Sequence, residues 1–137
     1  MPLQMTASIP NEPIRVTGSF LKIDTQLTNI TDSPLEVVTA RVGADISVLK
    51  DGVVVRPAGG KRPAGTGFTL APGARRTYKS MVHLGYPKPG SFSAIHPLAP
   101  GIYQLYAVQC FVPVSTHGLD RNLAFYVRGG PWDIQIG

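Results

Sequence analysis

The chain contains one cysteine and three histidines, and two of them fall close together in Cys110-Phe-Val-Pro-Val-Ser-Thr-His117. A Cys at the end of a strand followed by a His in the next loop can present a thiolate and an imidazole to copper, with a weak axial Met completing the set. No Met follows His117, and neither His83 nor His96 has the local context of a further imidazole ligand. The segment therefore reads as a small, buried or half-buried thiol beside an exposed loop histidine, with no metal bound. Cys110 with a histidine base would also suit nucleophilic catalysis, but no nucleophile signature surrounds it. Acid–base work needs paired carboxylates, and the eight Asp and Glu are scattered. Asp32 and Asp51 stand where turns call for short polar side chains. The expectation is a chain that is not an enzyme and needs no cofactor.

Binding residues are the alternative. Thirteen Lys and Arg against eight Asp and Glu leave a formal charge of +5, an ordinary solubility charge and a weak pointer to an acidic partner. Arg56, Lys61 and Arg62 fall around one expected hairpin, Arg75 and Arg76 follow it, and Lys88 lies in a later loop. Together with Trp132 in Gly-Gly-Pro-Trp-Asp, these are the candidate partner-binding residues. Trp132 has a second reading, as an anchor at the core edge for the last strand. The five Phe and five Tyr form no compact aromatic-and-basic motif of an RNA-binding sheet, so nucleic acid is not expected.

These residues need a scaffold, and 15 Gly and 13 Pro in 137 residues leave few windows long enough for a helix while accommodating strands of ~5–6 residues. An apolar share of 43% with 15% charged argues against disorder. Pro2, Pro10 and Pro13 suggest an irregular lead-in over residues 1–13, with the first strand beginning near Ile14. Residues 20–29 alternate Leu21, Ile23, Thr25 and Leu27 with polar residues, the period of a half-buried strand. Asn29 to Pro34 is a turn of short polar side chains. Residues 35–42 form a second strand with Val38, Ala40 and Val42 toward the core. Asp51-Gly52 between two β-rich runs marks a hairpin.

Residues 57–66 form a loop, 67–73 a strand ending in the Pro72-Gly73 turn, 74–84 a strand and 85–97 another loop. The longest strand, 102–112, should face Tyr103, Leu105 and Ala107 inward. Leu98-Ala-Pro-Gly101 followed by Tyr103 has the form of a tyrosine corner, in which the phenol bonds back to the backbone near the preceding turn. After a polar excursion at 113–121 come two last pieces, 122–128 and 132–136, split by Gly129-Gly-Pro131. Gly52, Gly73, Gly101, Tyr103 and Leu105 are thus structural residues. The fold class is all-β, a single antiparallel immunoglobulin-like β-sandwich of seven to nine strands over residues 1–137.

Four windows recur in the same order and at similar spacing in a known family. They are Leu27-Thr-Asn-Ile-Thr-Asp-Ser-Pro34, Asp45-Ile-Ser-Val-Leu-Lys-Asp-Gly52-Val, Phe68-Thr-Leu-Ala-Pro-Gly73 and Leu98-Ala-Pro-Gly-Ile-Tyr-Gln-Leu-Tyr-Ala107. Over residues 20 to 112 the chain resembles the intracellular proteinase inhibitors of bacteria, which are small immunoglobulin-like sandwiches. It departs from them by Pro/Gly-rich loops before Phe68 and before Leu98 and by a tail after Phe111. The resemblance implies the fold and, as one alternative, protease inhibition.

The expected function is a non-enzymatic protein-binding or assembly module, with self-association through sheet edges as one form of partnership and the loops 57–67, 85–97 and 113–121 as the variable surface. The alternatives are an intracellular protease inhibitor and a carbohydrate- or surface-binding module. A lone Cys excludes an intrachain disulfide. No run approaches the ~18 apolar residues of a membrane helix, so membrane insertion is not expected. Residues 1–10 lack the charge and apolar stretch of a signal peptide, so the expected location is the cytoplasm.

Overall fold

The computed structural model describes residues 1–15, 20–39, 43–58, 65–84 and 98–137. The described residues form ten strands in antiparallel sheets and one 3-10 turn, Arg121–Leu123, with no α-helix. A three-stranded sheet has the order β1 (Leu3–Ser8), β2 (Phe20–Asn29), β7 (Arg75–His83). The larger sheet is built on the long β8 (Gly101–Ser115). Along one of its edges run β3 (Leu35–Thr39) and then β4 (Asp45–Lys50), flanked in turn by β6 (Thr66–Leu70) and β5 (Val53–Arg56); β10 (Phe125–Ile136) and the short β9 (Gly118–Leu119) also pair with β8.

Alternation places the inward face. In β8, Tyr103, Leu105, Ala107, Gln109 and Phe111 are buried while the even-numbered residues are not. Ile23, Thr25, Leu27 and Asn29 do the same in β2, and Tyr78, Ser80 and Val82 in β7. The buried apolar residues of both sheets make one cluster, to which Leu3, Leu27, Val48, Val82, Leu105 and Phe111 contribute fully buried side chains.

One polar contact ties the sheets together. Between the pairs Thr39↔Phe111 and Asp45↔Val108 the β3–β4 side advances six residues while β8 advances three. The surplus includes Gly43, where φ is +92° and an added Cβ would lie 2.8 Å from the Lys79 carbonyl oxygen. Only glycine lets the chain approach β7 so closely. Next to it the Ala44 N–H donates to Ser80 Oγ at 2.9 Å, and Ser80 Oγ lies 2.6 Å from Thr25 Oγ1. This buried hydroxyl pair satisfies a backbone donor that has no ladder partner.

Several expectations need correction. The lead-in is not irregular over residues 1–13: Leu3–Ser8 is a strand paired with β2 from Leu3↔Asn29 to Ser8↔Asp24. Pro2 and Pro10 flank it without interrupting it, and Leu3 and Met5 alternate into the core. In β3 the parity is the reverse of the hydrophobic guess, since Val37 and Thr39 are buried and Val38 faces out. Thr39 tolerates burial because its hydroxyl donates to the Cys110 carbonyl at 2.9 Å and accepts from Gln109 Nε2 at 3.2 Å. Ala40 and Val42 lie outside the described residues.

The last two pieces are one strand. β10 runs through Gly129-Gly-Pro131, accommodating them in a bulge between the pairs Gly129↔Ala107 and Trp132↔Leu105. β8 likewise continues through Pro113 to Ser115 and turns back into β9. The Asp51-Gly52 hairpin joins β4 to β5, with φ of +50° and +81° at its two turn residues, the backbone that Asp-Gly supplies most readily. No helix among the described residues is long and apolar enough to cross a membrane.

Candidate functional site

The outward face of the larger sheet departs most from what a solvated surface needs. An antiparallel strand with one wet face reads apolar-in, polar-out, whereas a strand covered on both faces is a continuous apolar run. β8 has the second pattern. Its outward residues are Ile102, Tyr106, Val108, Cys110, Val112 and Val114, interrupted only by Gln104. Tyr126 of β10 stands beside Cys110, and Val38 of β3 stands beside Val112 on the other edge. Tyr126 is 57% exposed and Tyr106 44%.

At the upper end of this face lies a groove of about 410 Å³, lined by Val38, Cys110, Val112, Leu119, Arg121 and Tyr126, with Gly65 at its margin. Its wall is the turn back of the chain after β8. Val114 pairs with Leu119, the Asp120 N–H donates to the Pro113 carbonyl at 3.0 Å, and the Asp120 carboxylate caps the 3-10 turn through the Asn122 N–H at 3.2 Å. Val38 pairs with Gly67 of β6. Among the described residues that line the groove, Arg121 is the only charged one.

A second cleft of about 500 Å³ lies where β1 passes β10 and involves Leu3, Met5, Ile30, Arg128, Pro131 and Trp132. Trp132 is half-buried, packs against the core and lies directly over Gly129, where an added Cβ would meet the indole at 2.5 Å. Its partner Leu105 is fully buried. The indole thus serves the core edge while bordering the cleft.

The described basic candidates, Arg56, Arg75 and Arg76, are not gathered into one patch. Arg56, Val48, Leu105 and Trp132 form one row across four strands, which separates Arg56 from Trp132 by three strand spacings, about 14 Å. Arg56 Nη1 donates to the Val55 carbonyl at 2.7 Å. Arg75 and Arg76 belong to the other sheet, and the Arg76 guanidinium lies 4.8 Å from the Phe68 ring centroid and 5.3 Å from that of Tyr78. It therefore covers the aromatic end of the core. Burial pushes the Tyr78 phenol above its usual value, and the adjacent Arg76 offsets part of that rise. Lys61, Arg62 and Lys88 lie outside the described residues, as do the greater part of the 57–67 loop and all of 85–97.

The structural candidates occupy defined places. Tyr103 is buried and its hydroxyl donates to the Ala99 carbonyl at 2.6 Å, while Lys50 Nζ lies 4.8 Å over its ring and donates to the Ile102 carbonyl at 3.1 Å. Gly73 lies in the turn before β7, where its N–H donates to the Asn29 carbonyl at 2.9 Å, and Gly101 begins β8, where an added Cβ would meet Lys50 Nζ at 2.8 Å.

Cys110 and His117 are not brought together. Cys110 lies five residues before the end of β8, about 16 Å of strand, and His117 is exposed in the turn beyond it. His83 belongs to β7 and packs on Phe20 with ring centroids 4.3 Å apart; His96 lies outside the described residues. Among the described residues no three His, Cys, Asp or Glu side chains converge on a metal position. Alternation over 102–112 identifies the inward set and leaves the outward face unassigned. The apolar run from Tyr106 to Val114, interrupted only by Gln109, is the signal the sequence offers for it.

No family model and no curated protein matches the chain. Among solved structures it is similar to an alkylpurine DNA glycosylase, AlkC, of Pseudomonas fluorescens bound to abasic-site DNA, at 13% identity and a TM-score of 0.46, over 98% of this chain and 30% of that one. It is also similar to a beta-glucosidase of Listeria innocua, at 15% identity over 93% of this chain and 16% of that one, with TM-scores of 0.43 for the laminaribiose complex and 0.44 for the glucose complex. The chain thus spans less than a third of the length of either enzyme, and likenesses this distant bear on neither substrate nor activity.

Proposed function

We propose that this chain is a non-enzymatic protein-binding module of immunoglobulin-like build, and that it docks through the outward face of β8, β3 and β10. Three features support the build. Tyr103 makes the corner bond to Ala99. The first strand pairs with β2, after which Ile14 bridges Ile136 of β10 in parallel, so the start of the chain serves both sheets. The inward residues of both sheets feed one cluster, as two stacked sheets require.

The observation that carries the docking reading is the apolar outward run of the central strand with its groove. Contiguous exposed apolar surface on a rigid sheet is what a protein partner desolvates. Among the described residues no comparable gathering of acids, bases or nucleophiles supports catalysis. The inhibitor reading rests on the four sequence windows and the carbohydrate reading on scattered aromatics, and no observation favours either over docking.

The test compares the immobilised chain with a Val112→Glu variant, which places a charge in the groove without touching the inward core. Proteins retained by the parent should be lost from the variant, provided that both melt at the same temperature. Equal retention by the two would remove this face from the function.

A further inference from the structure

We infer that the outward face of the larger sheet is an interface between two copies of this chain, related by a two-fold axis running along β8. The inference rests on the docking reading above and names the partner.

The charges on this face select both the partner and the axis. Among the described residues near the upper half of β8, Asp45 and Glu36 lie on the β3–β4 side and Arg128 and Arg121 on the β9–β10 side, where the one acid, Asp120, is turned to the Asn122 N–H as the cap of the 3-10 turn. Asp45 and Arg128 occupy one row, both paired with Val108 from opposite edges. One level up the same order repeats. Val37 pairs with Pro113, which places Glu36 beside Val114, while Asp120 bonds to Pro113, which places Arg121 on the other side of β8 at nearly the same height. Glu36, Arg121 and Arg128 are exposed.

A face that meets its own copy does so about an axis lying in the interface plane. If that axis runs across the strands, the acidic side of one copy faces the acidic side of the other. If it runs along β8, left and right exchange, so the row with Asp45 meets Arg128 and the level with Glu36 meets Arg121, twice each by symmetry. Only the second arrangement brings opposite charges together. It also stacks the apolar stripe Tyr106, Val108, Cys110, Val112 on its own copy along the axis. Asp133, the acid on the β10 side, lies further down the strand, where Gln104 Nε2 donates to it at 3.4 Å.

The size fits. From Ile102 to Val114 the face is about 40 Å long, and four strands across make it about 19 Å wide, so each copy offers roughly 750 Å², close to the ~800 Å² per partner of a standard stable interface. Sheets packed in this way sit about 10 Å apart, too far for a disulfide between the two Cys110 but within reach of a short bismaleimide. Cys110 is the chain's one cysteine, so any cross-link reports that position alone.

The experiment uses the full chain under reducing conditions. Light scattering should give a mass twice 14.6 kDa, and a short bismaleimide should convert the dimer to a covalent pair that is absent from Cys110→Ser. Arg121→Glu should weaken the dimer on the order of tenfold or more, and Arg121→Glu combined with Glu36→Arg should recover most of that loss. A chain that stays monomeric up to its solubility limit overturns the inference, as does a dimer insensitive to the charge reversal or to Val112→Glu, which would be joined elsewhere. The retention experiment above is independent of this outcome: a monomer that still loses its bound proteins on Val112→Glu keeps the docking face and gives it a different partner.

Discussion

Asn29 gives the sharpest test of how the fold is held. The side chain is 0% exposed. Its Nδ2 donates to the Ser33 and Leu70 carbonyls, each at 2.9 Å, and its Oδ1 accepts from the Thr31 N–H at 3.0 Å and the Thr31 hydroxyl at 2.7 Å. One residue thus closes the β2–β3 turn and ties it to β6. Replacement by Ala leaves Ser33 and Thr31 near solvent, where water can replace the lost bonds, but strands the buried Leu70 carbonyl, for a total of about 3 kcal/mol.

Asn29→Asp, although isosteric, should be worse at pH 7. The oxygen replacing Nδ2 would face two carbonyl oxygens at the distances of the present hydrogen bonds, and a charge would be buried, even though Thr31 still donates to the other oxygen. We expect a loss of about 4–5 kcal/mol. With a urea slope of about 1.5 kcal/mol/M, the midpoint falls by about 2 M for Ala and about 3 M for Asp.

The pH dependence has a definite sign. Burial and the two carbonyls raise the introduced carboxyl's folded pKa above its unfolded value, so the folded state holds the proton more tightly. Stability is then greatest at low pH and is lost as pH rises through the folded value. Lowering the pH from neutral toward 5 should narrow the gap between Asn29→Asp and Asn29→Ala, because the protonated acid can again donate to one carbonyl. Urea melts at both pH values measure this. An Asp variant as stable as the Ala variant at neutral pH, or one whose deficit deepens on acidification, would refute the account of donors and acceptors at this site.

Two further substitutions probe the same scaffold. Tyr103→Phe removes the bond to Ala99 and should cost about 1 kcal/mol, since Ala99 is exposed and its carbonyl can turn to water; calorimetry should show a melting temperature lower by a few degrees, whereas the outward Tyr106→Phe should leave it unchanged. Gly43→Ala sets a Cβ against the Lys79 carbonyl at a positive φ and should cost about 2 kcal/mol or more; a variant as stable as the parent in urea would mean that β7 yields to the added methyl at little cost.

The sequence determined the elements wherever a local rule fixes them. The period-two run in β2, the Asp51-Gly52 hairpin, the Pro72-Gly73 turn and the inward Tyr103, Leu105 and Ala107 of β8 all follow from alternation and turn chemistry, which act over a few residues. Where a distant partner decides, local reading failed. Thr39 displaced Val38 from the core because Cys110 and Gln109 supply its hydrogen bonds. β1 formed despite its neighbouring prolines because β2 offered it an edge. The bulge at Gly129 to Pro131 keeps β10 whole because β8 holds both ends in register.

The candidate site shows the same division. The composition of residues 102–114 already held an apolar set on each parity, but a strand's two faces become distinguishable only when one of them meets a second sheet. The described basic residues followed each other in sequence yet were dispersed by topology, Arg56 to the edge strand β5 of one sheet and Arg76 to β7 of the other, over the rings of Phe68 and Tyr78. Sequence determined which residues are apolar or charged and where the chain turns. Tertiary structure decided which apolar face turns away from the core and which charges share it, because burial and register are properties of strands that pair across most of the chain's length.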